Sequence, residues 1–146
     1  MKKLTLSLLL LLSTSAFSST LHYSLIKKES PKEGPTLLIV GGIHGDEPGG
    51  YFAPMVMAKY YRIDSGNVWI VPNLNFDSIV KNSRGINGDM NRKFAKIDTK
   101  DKDFDIISDI KKLLLHPKVD LTLNLHDGKG FYRDQTINKD LNPKAW

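Results

Sequence analysis

The 146-residue sequence contains no cysteine. That absence excludes a disulfide scaffold, a cysteine zinc finger, a thiolate-held iron–sulfur cluster and a cysteine nucleophile. Apolar runs of membrane-spanning length are also missing: the longest lies at Leu4 to Leu12, far short of the roughly 20 residues a bilayer-crossing helix needs. Excess charge of one sign is small, with 21 Lys and Arg against 16 Asp and Glu. Hydrophobic residues at 40% and charged residues at 25% match an ordinary folded domain, which excludes a disordered or collagen-like chain. No internal repeat or low-complexity linker divides the chain, so the length predicts a single domain.

What is present begins with a leader pattern. Lys2 and Lys3 form a basic head, Leu4 to Leu12 an apolar centre, and Ala16-Phe17-Ser18 a small-x-small cleavage signal. We read residues 1–18 as a signal peptide and residues 19–146 as the mature domain, exported with no stable membrane anchor after cleavage. The formal charge of +5 falls to +3 once Lys2 and Lys3 are removed. That is too weak and dispersed a charge to predict a nucleic-acid partner.

Along the mature chain, Thr36 to Val40 is a continuous apolar run between Pro35 and Gly41, as expected of a strand buried on both faces. Pro48 suits a first helical turn, and Phe52, Met55, Val56 and Tyr60 recur at helical spacing, with Pro54 expected to kink or delay the helix. A second strand is predicted over Asn67 to Val71, a polar loop over Asn73 to Gly88, and a second helix from Phe104 to Leu115 with Ile107, Ile110 and Leu114 on one face. Val119 to Leu125 alternates as a third strand, while the piece before Thr36 is left unassigned. Alternating strands and helices predict the α/β class, a mixed, partly parallel sheet flanked by helices. Ligands of such sheets collect beyond the carboxyl ends of the strands, where His44 and His126 both fall.

Three features there can carry chemistry. His44 and Glu47 stand three apart on a Gly-flanked turn entering a helix, a spacing able to place an imidazole and a carboxylate on one side of a metal. Alone, that pair fits an exposed loop with an acid at a helix N-terminus equally well. His126 adds a third candidate from another strand, and two His with one Glu form a catalytic zinc set with a position left for water. Arg84, Asn91 and Arg92 lie in a Gly-rich stretch whose donors suit a carboxylate or an oxyanion, although a solvated basic loop would read the same way. His116, which at a helix end can cap carbonyls or favourably meet the dipole, and His22 are the weaker ligand candidates.

The strings Gly41-Gly42-Ile43-His44-Gly45-Asp46-Glu47-Pro48-Gly49-Gly50, Asp89-Met90-Asn91-Arg92-Lys93-Phe94 and His126-Asp127-Gly128-Lys129-Gly130-Phe131-Tyr132, in this order, resemble the zinc carboxypeptidase superfamily. Arg84, seven residues before Asn91, is similar to the branch of succinylglutamate desuccinylases and aspartoacylases. Within it the longer strings resemble periplasmic peptidoglycan DL-carboxypeptidases that determine helical cell shape. The resemblance runs from Thr36 to Tyr132. It implies a zinc-carboxypeptidase-like fold with one Zn2+ per chain on His44, Glu47 and His126, a catalytic Arg84 polarising the scissile carbonyl, and Asn91 with Arg92 holding the substrate's terminal carboxylate. The implied substrate is a muramyl tripeptide trimmed to a dipeptide, in the periplasm.

The chain departs from the family where the general base is expected. The family places a glutamate on a later strand, yet Asp127 to Trp146 contain no Glu, only Asp127, Asp134 and Asp140. We therefore expect an N-terminal portion of such an enzyme, with an unpaired sheet edge and exposed apolar surface. A non-catalytic peptide-binding module, a desuccinylase-like amidohydrolase and an exported domain with merely structural histidines remain as alternatives. The ligand types alone do not separate zinc from cobalt or nickel.

Overall fold

A computed structural model describes residues 22–128. The leader reading over 1–18 and the stretch 129–146, including Phe131, Tyr132, Asp134 and Asp140, lie outside the described residues. Within them the chain runs β1 (Ile26–Glu29), β2 (Thr36–Val40), α1 (Pro48–Tyr60), β3 (Asn67–Val71), α2 (Phe76–Val80), a 3-10 turn at Met90–Arg92, α3 (Phe104–Leu114) and β4 (Leu121–Asn124). The strands form one sheet in the order β1-β3-β2-β4. β2 pairs in parallel with both β3 and β4, whereas β1 runs antiparallel to β3. The expected mixed, partly parallel sheet is therefore present.

The central position of β2 follows from its sequence: Leu38, Ile39 and Val40 are buried, so both faces of the strand are covered. Leu38 and Val40 join Trp69 and Val71 of β3 in the main core, against Ile107 and Ile110 of α3. Each of these isoleucines is fully buried and contributes roughly 1.5–3 kcal/mol of apolar burial. Leu114 packs against the same cluster, as its spacing predicts.

The expected loop over Asn73 to Gly88 contains the short helix α2, and three further points differ from the sequence reading. β1 was not legible, because Ile26-Lys27-Lys28-Glu29 lacks an apolar alternation; it is held by pairing to β3, and its Lys28 Nζ donates to the Ala58 and Tyr61 carbonyls at the end of α1. Phe52, Met55, Val56 and Tyr60 mark the helix by their spacing but all are exposed, and the buried residues of α1 are Gly50 and Pro54. Pro54 does not delay the helix. Its missing N–H would have met the Gly50 carbonyl, which lies where a Cβ on Gly41 would come within 2.2 Å of it, so the proline side of α1 packs closely against the end of β2.

β4 lies at the sheet edge with no second neighbour among the described residues. Its Leu121 and Leu123 are exposed.

Candidate metal centre

The turn after β2 is shaped by backbone crowding. Gly42 adopts φ +71°, a left-handed conformation that favours glycine, and the chain then hydrogen-bonds across to the segment after β3 through Leu74 N–H to Gly41 O (3.0 Å) and Asn75 N–H to Gly42 O (2.8 Å). Asn75 Nδ2 donates to Ile43 O at 3.3 Å. These bonds deliver His44 to the carboxyl edge of the sheet with only 2% of its surface exposed. Glu47 follows immediately before α1, and β4 brings His126 to the same edge from the other side of β2.

Glu47 is the hub of the site. His44 Nδ1 lies 2.8 Å from its Oε1, and His126 Nδ1 lies 2.7 Å from its Oε2. Arg84 Nη1 donates to Oε1 at 3.1 Å, and the Asp127 N–H donates to Oε2 at 3.3 Å. Burial pushes the Glu47 carboxyl upward, but the His126 and His44 contacts prevail and hold it below its ordinary value. Glu47 is thus a carboxylate aimed at two imidazoles.

His44 also faces a second acid, with Nε2 2.8 Å from Asp89 Oδ1. A neutral imidazole carries one N–H. With that proton on Nε2, toward Asp89, the Nδ1 lone pair faces the Glu47 carboxylate, and both would be available as ligands to a metal. The other oxygen of Asp89 accepts from Arg84 Nε at 3.1 Å. Desolvation raises Asp89, yet the His44 and Arg84 hydrogen bonds outweigh it and lower its pKa. A carboxylate on the far nitrogen of an imidazole is what fixes the tautomer of a ligating histidine, so Asp89 would orient His44 toward a metal.

The donor set fits a metal ion. One ligand atom each from His44, Glu47 and His126 lies within 4.8 Å of the others. His126 Nε2 is buried with no hydrogen-bond partner among the described residues, so its ring is held by the Glu47 side alone. Two nitrogens and a carboxylate oxygen match the His2Glu pattern that binds a divalent metal while leaving a coordination position open.

The structure brings His44, Glu47, His126 and Arg84 together. Arg92 is reached through Asp89, its Nε 3.9 Å from Oδ2, with the guanidinium otherwise exposed. Asn91 donates its backbone N–H to Asp89 Oδ1 at 3.0 Å, and its side chain lines a cavity of about 190 Å3 with Val40, Ile43, Phe94, Leu114, Thr122 and Asn124. His22 and His116 lie elsewhere. His22 meets Asp109 at 3.0 Å, and His116 accepts from the Lys118 N–H at 3.2 Å and stands edge-on to Trp69, so it does not cap the helix carbonyls. Asp89 and Asp127 are the residues whose roles the sequence reading missed. Asp89 sits two residues before Asn91 and Asp127 directly after His126, so adjacency to chemistry-bearing positions was their only signal.

Fold and site together define an α/β domain with a metal-capable His-Glu-His group at the carboxyl ends of its central strands. The chain belongs to the peptidase M99 family, the catalytic part of the carboxypeptidase controlling helical cell shape, whose family model matches residues 1–146. It is similar to the tripeptide-bound cell shape determinant Csd4 of Helicobacter pylori, with 43% identity and a TM-score of 0.78 over 85% of this chain and 31% of that one. The form of Helicobacter pylori Csd4 with mDAP bound, described as a D,L-carboxypeptidase, matches at 43% identity and a TM-score of 0.75 over 83% of this chain and 30% of that one. The N-alpha-acetyl-L-2,4-diaminobutyric acid deacetylase of Halomonas elongata is 35% identical over 101 residues, 66% of this chain and 29% of its own length. The chain thus spans about three tenths of the length of these relatives.

Proposed function

We propose that this chain carries the metal-binding and substrate-binding part of a zinc-dependent carboxypeptidase that removes the C-terminal residue from peptidoglycan stem peptides, converting a muramyl tripeptide to a dipeptide. The observation that carries this reading is the single carboxylate of Glu47 shared by His44 Nδ1 and His126 Nδ1, at 2.8 and 2.7 Å, with Arg84 beside it at 3.1 Å. Membership of the M99 family and the likeness to a tripeptide-bound and an mDAP-bound D,L-carboxypeptidase support the substrate class. The same reading makes residues 1–18 a signal peptide, residues 19–146 the N-terminal portion of a catalytic domain, and the periplasm its location.

His44, Glu47 and His126 would hold the metal, for which imidazole and carboxylate ligands favour zinc. When bound, zinc supplies a water acidified toward a pKa of about 7 and a Lewis acid for the scissile carbonyl. Arg84 presents a partly exposed guanidinium at the rim of the group, where it donates to the carbonyl oxygen as negative charge develops. Arg92, exposed next to Asp89, pairs with the terminal carboxylate of the peptide, and Asn91 on the same turn adds an amide. Asp89 keeps the His44 proton on Nε2 and so leaves Nδ1 available.

A non-catalytic peptide-binding role for the same site is favoured by one observation. The two acids that face the histidines, Glu47 and Asp89, each have both carboxylate oxygens committed to neighbouring side chains, so neither stands open to a water as a base. Calorimetry and mass spectrometry of the zinc-loaded chain with a synthetic muramyl tripeptide separate the readings. Saturable binding with release of the C-terminal diaminopimelate establishes the hydrolase. Saturable binding without product establishes the binding role, and no binding by folded, zinc-loaded protein contradicts both.

A further inference from the structure

Directly after Asn91 and Arg92 the chain partly buries a cation. The Lys93 side chain is 14% exposed, and its Nζ donates to Asn87 O (2.7 Å), Asp101 Oδ1 (2.8 Å) and Asp103 Oδ2 (2.8 Å). All the donors of the ammonium are therefore used. Asp103, with its side chain 8% exposed, accepts through its other oxygen from Asn87 Nδ2 at 2.7 Å, and Asp101 Oδ1 also accepts the Asp103 N–H at 2.8 Å. Although Asp103 precedes α3, its side chain makes no helix cap; it is committed to this network instead. Desolvation lowers the lysine's pKa, but the two carboxylates outweigh it and raise the group, which keeps it charged.

A part-buried ion network is a poor source of stability, since well-packed apolar residues often serve as well. Its effect is to select one backbone path. Here the path runs from Asn87, whose carbonyl Lys93 grips, to Lys93 itself, and it includes Asp89, Asn91 and Arg92. Lys111 of α3 adds a second tether by donating to Phe94 O at 3.1 Å. The network therefore ties the turn bearing the His44 partner and the proposed carboxylate ligands to the start of α3, outside the metal-capable group itself.

We propose that Lys93 is a positioning residue for substrate specificity: clasped by Asn87, Asp101 and Asp103, it holds the Asp89–Arg92 turn at the distance from the metal position that a terminal carboxylate requires. This rests on the reading of Asn91 and Arg92 as carboxylate ligands. Asp89 is held separately by its own bonds to His44 and Arg84, so loss of the clasp loosens Asn91 and Arg92 and separates peptide binding from zinc binding.

The test uses the full chain with Lys93→Met, which keeps the length of the side chain and removes the charge, beside Lys93→Arg. Calorimetry measures zinc affinity and then, on zinc-loaded protein, affinity for muramyl tripeptide, while amide hydrogen exchange follows residues 87–94 and Ile107 in α3. The expected result for Lys93→Met is at least about tenfold weaker peptide binding, the scale of a lost charge-assisted contact, with zinc affinity unchanged. Exchange accelerates over 87–94 and not at Ile107, and Lys93→Arg recovers part of the peptide affinity. Should Lys93→Met fail to fold, Asp101→Asn, which weakens one arm of the clasp, is expected to give the same pattern with a smaller loss. Unchanged peptide binding and exchange, or a parallel loss of zinc and peptide, overturns the proposal. If the wild-type chain binds no tripeptide, the substrate reading fails, and hydrogen exchange alone decides whether the clasp exists: selective loosening of 87–94 supports it, and uniform or absent change refutes it.

Discussion

Asp127 Oδ2 accepts the Gly49 N–H at 2.9 Å, so the first turn of α1 is capped by a residue from the loop after β4, and not by its own neighbour Glu47. The consequence is a division of labour. A helix N-terminus needs an acceptor for its free N–H groups, and with Asp127 in that place Glu47 turns toward the histidines. Glycine leaves room for this carboxylate at the helix start, because a Cβ on Gly49 would stand 2.2 Å from Asp127 Oδ1. Gly49→Ala is therefore expected to swing the Asp127 carboxylate off the Gly49 N–H, which unties the His126 loop from α1 and weakens zinc binding. Asp127→Ala should lower stability by about 0.5–2 kcal/mol, the range for a lost N-cap, and weaken zinc as well. Calorimetric zinc titration and urea unfolding of both variants check this; wild-type zinc affinity in both would show that the contact does not set the site.

Arg84 bonds both Glu47 and Asp89 from a half-exposed position. Removing it leaves the two imidazoles and the carboxylate in place. If the zinc-loaded chain hydrolyses tripeptide, Arg84→Ala should lose about 2.7–4 kcal/mol of transition-state stabilisation, read in kcat, while zinc affinity changes little. A variant with unaltered kcat would remove Arg84 from the reaction.

The carboxyls of Glu47 and Asp89 are both held below their ordinary values in the folded chain. For acids depressed on folding, the associated stability is fully present above the unfolded-state pKa and is lost as pH falls through the folded one. Urea unfolding with a chelator present should therefore show stability declining as pH drops below the usual carboxylate range. Glu47→Gln should flatten that decline, and an identical slope in wild type and variant would show that Glu47 does not contribute to it.

Gly45 is a packing position. A Cβ there would lie 2.0 Å from the Ser78 carbonyl group, which is backbone of α2 and cannot rotate away. Gly45→Ala is expected to displace the His44 turn from α2, lowering the melting temperature and the zinc affinity together. A variant with wild-type values for both would show that the two segments separate without cost.

Much of this arrangement was legible in the sequence, for identifiable reasons. Thr36–Val40 and Asn67–Val71 are apolar runs ended by Gly and Pro, and α3 carries Ile107 and Ile110 at helical spacing, so period and punctuation gave these elements closely. β1 escaped because edge pairing to β3, and not composition, makes it a strand. The helix α1 was found through residues that turn out to be exposed, since its buried side is made by Gly50 and Pro54, which carry no hydrophobic signal. His44, Glu47 and His126 could be singled out as metal-type ligands at strand ends. The Asp89 and Asp127 contacts could not, because each joins segments far apart in the chain: Asp89 to His44 and Asp127 to Gly49.

The central claim is that His44, Glu47 and His126 form one zinc site in this chain. Elemental analysis of the purified protein beside a His126→Ala control, with circular dichroism on the same samples, tests it most directly. The account predicts about one zinc per folded wild-type chain and loss of that zinc in the folded control, as a three-ligand site requires. A folded wild-type chain without zinc, or zinc retained in the control, would contradict it.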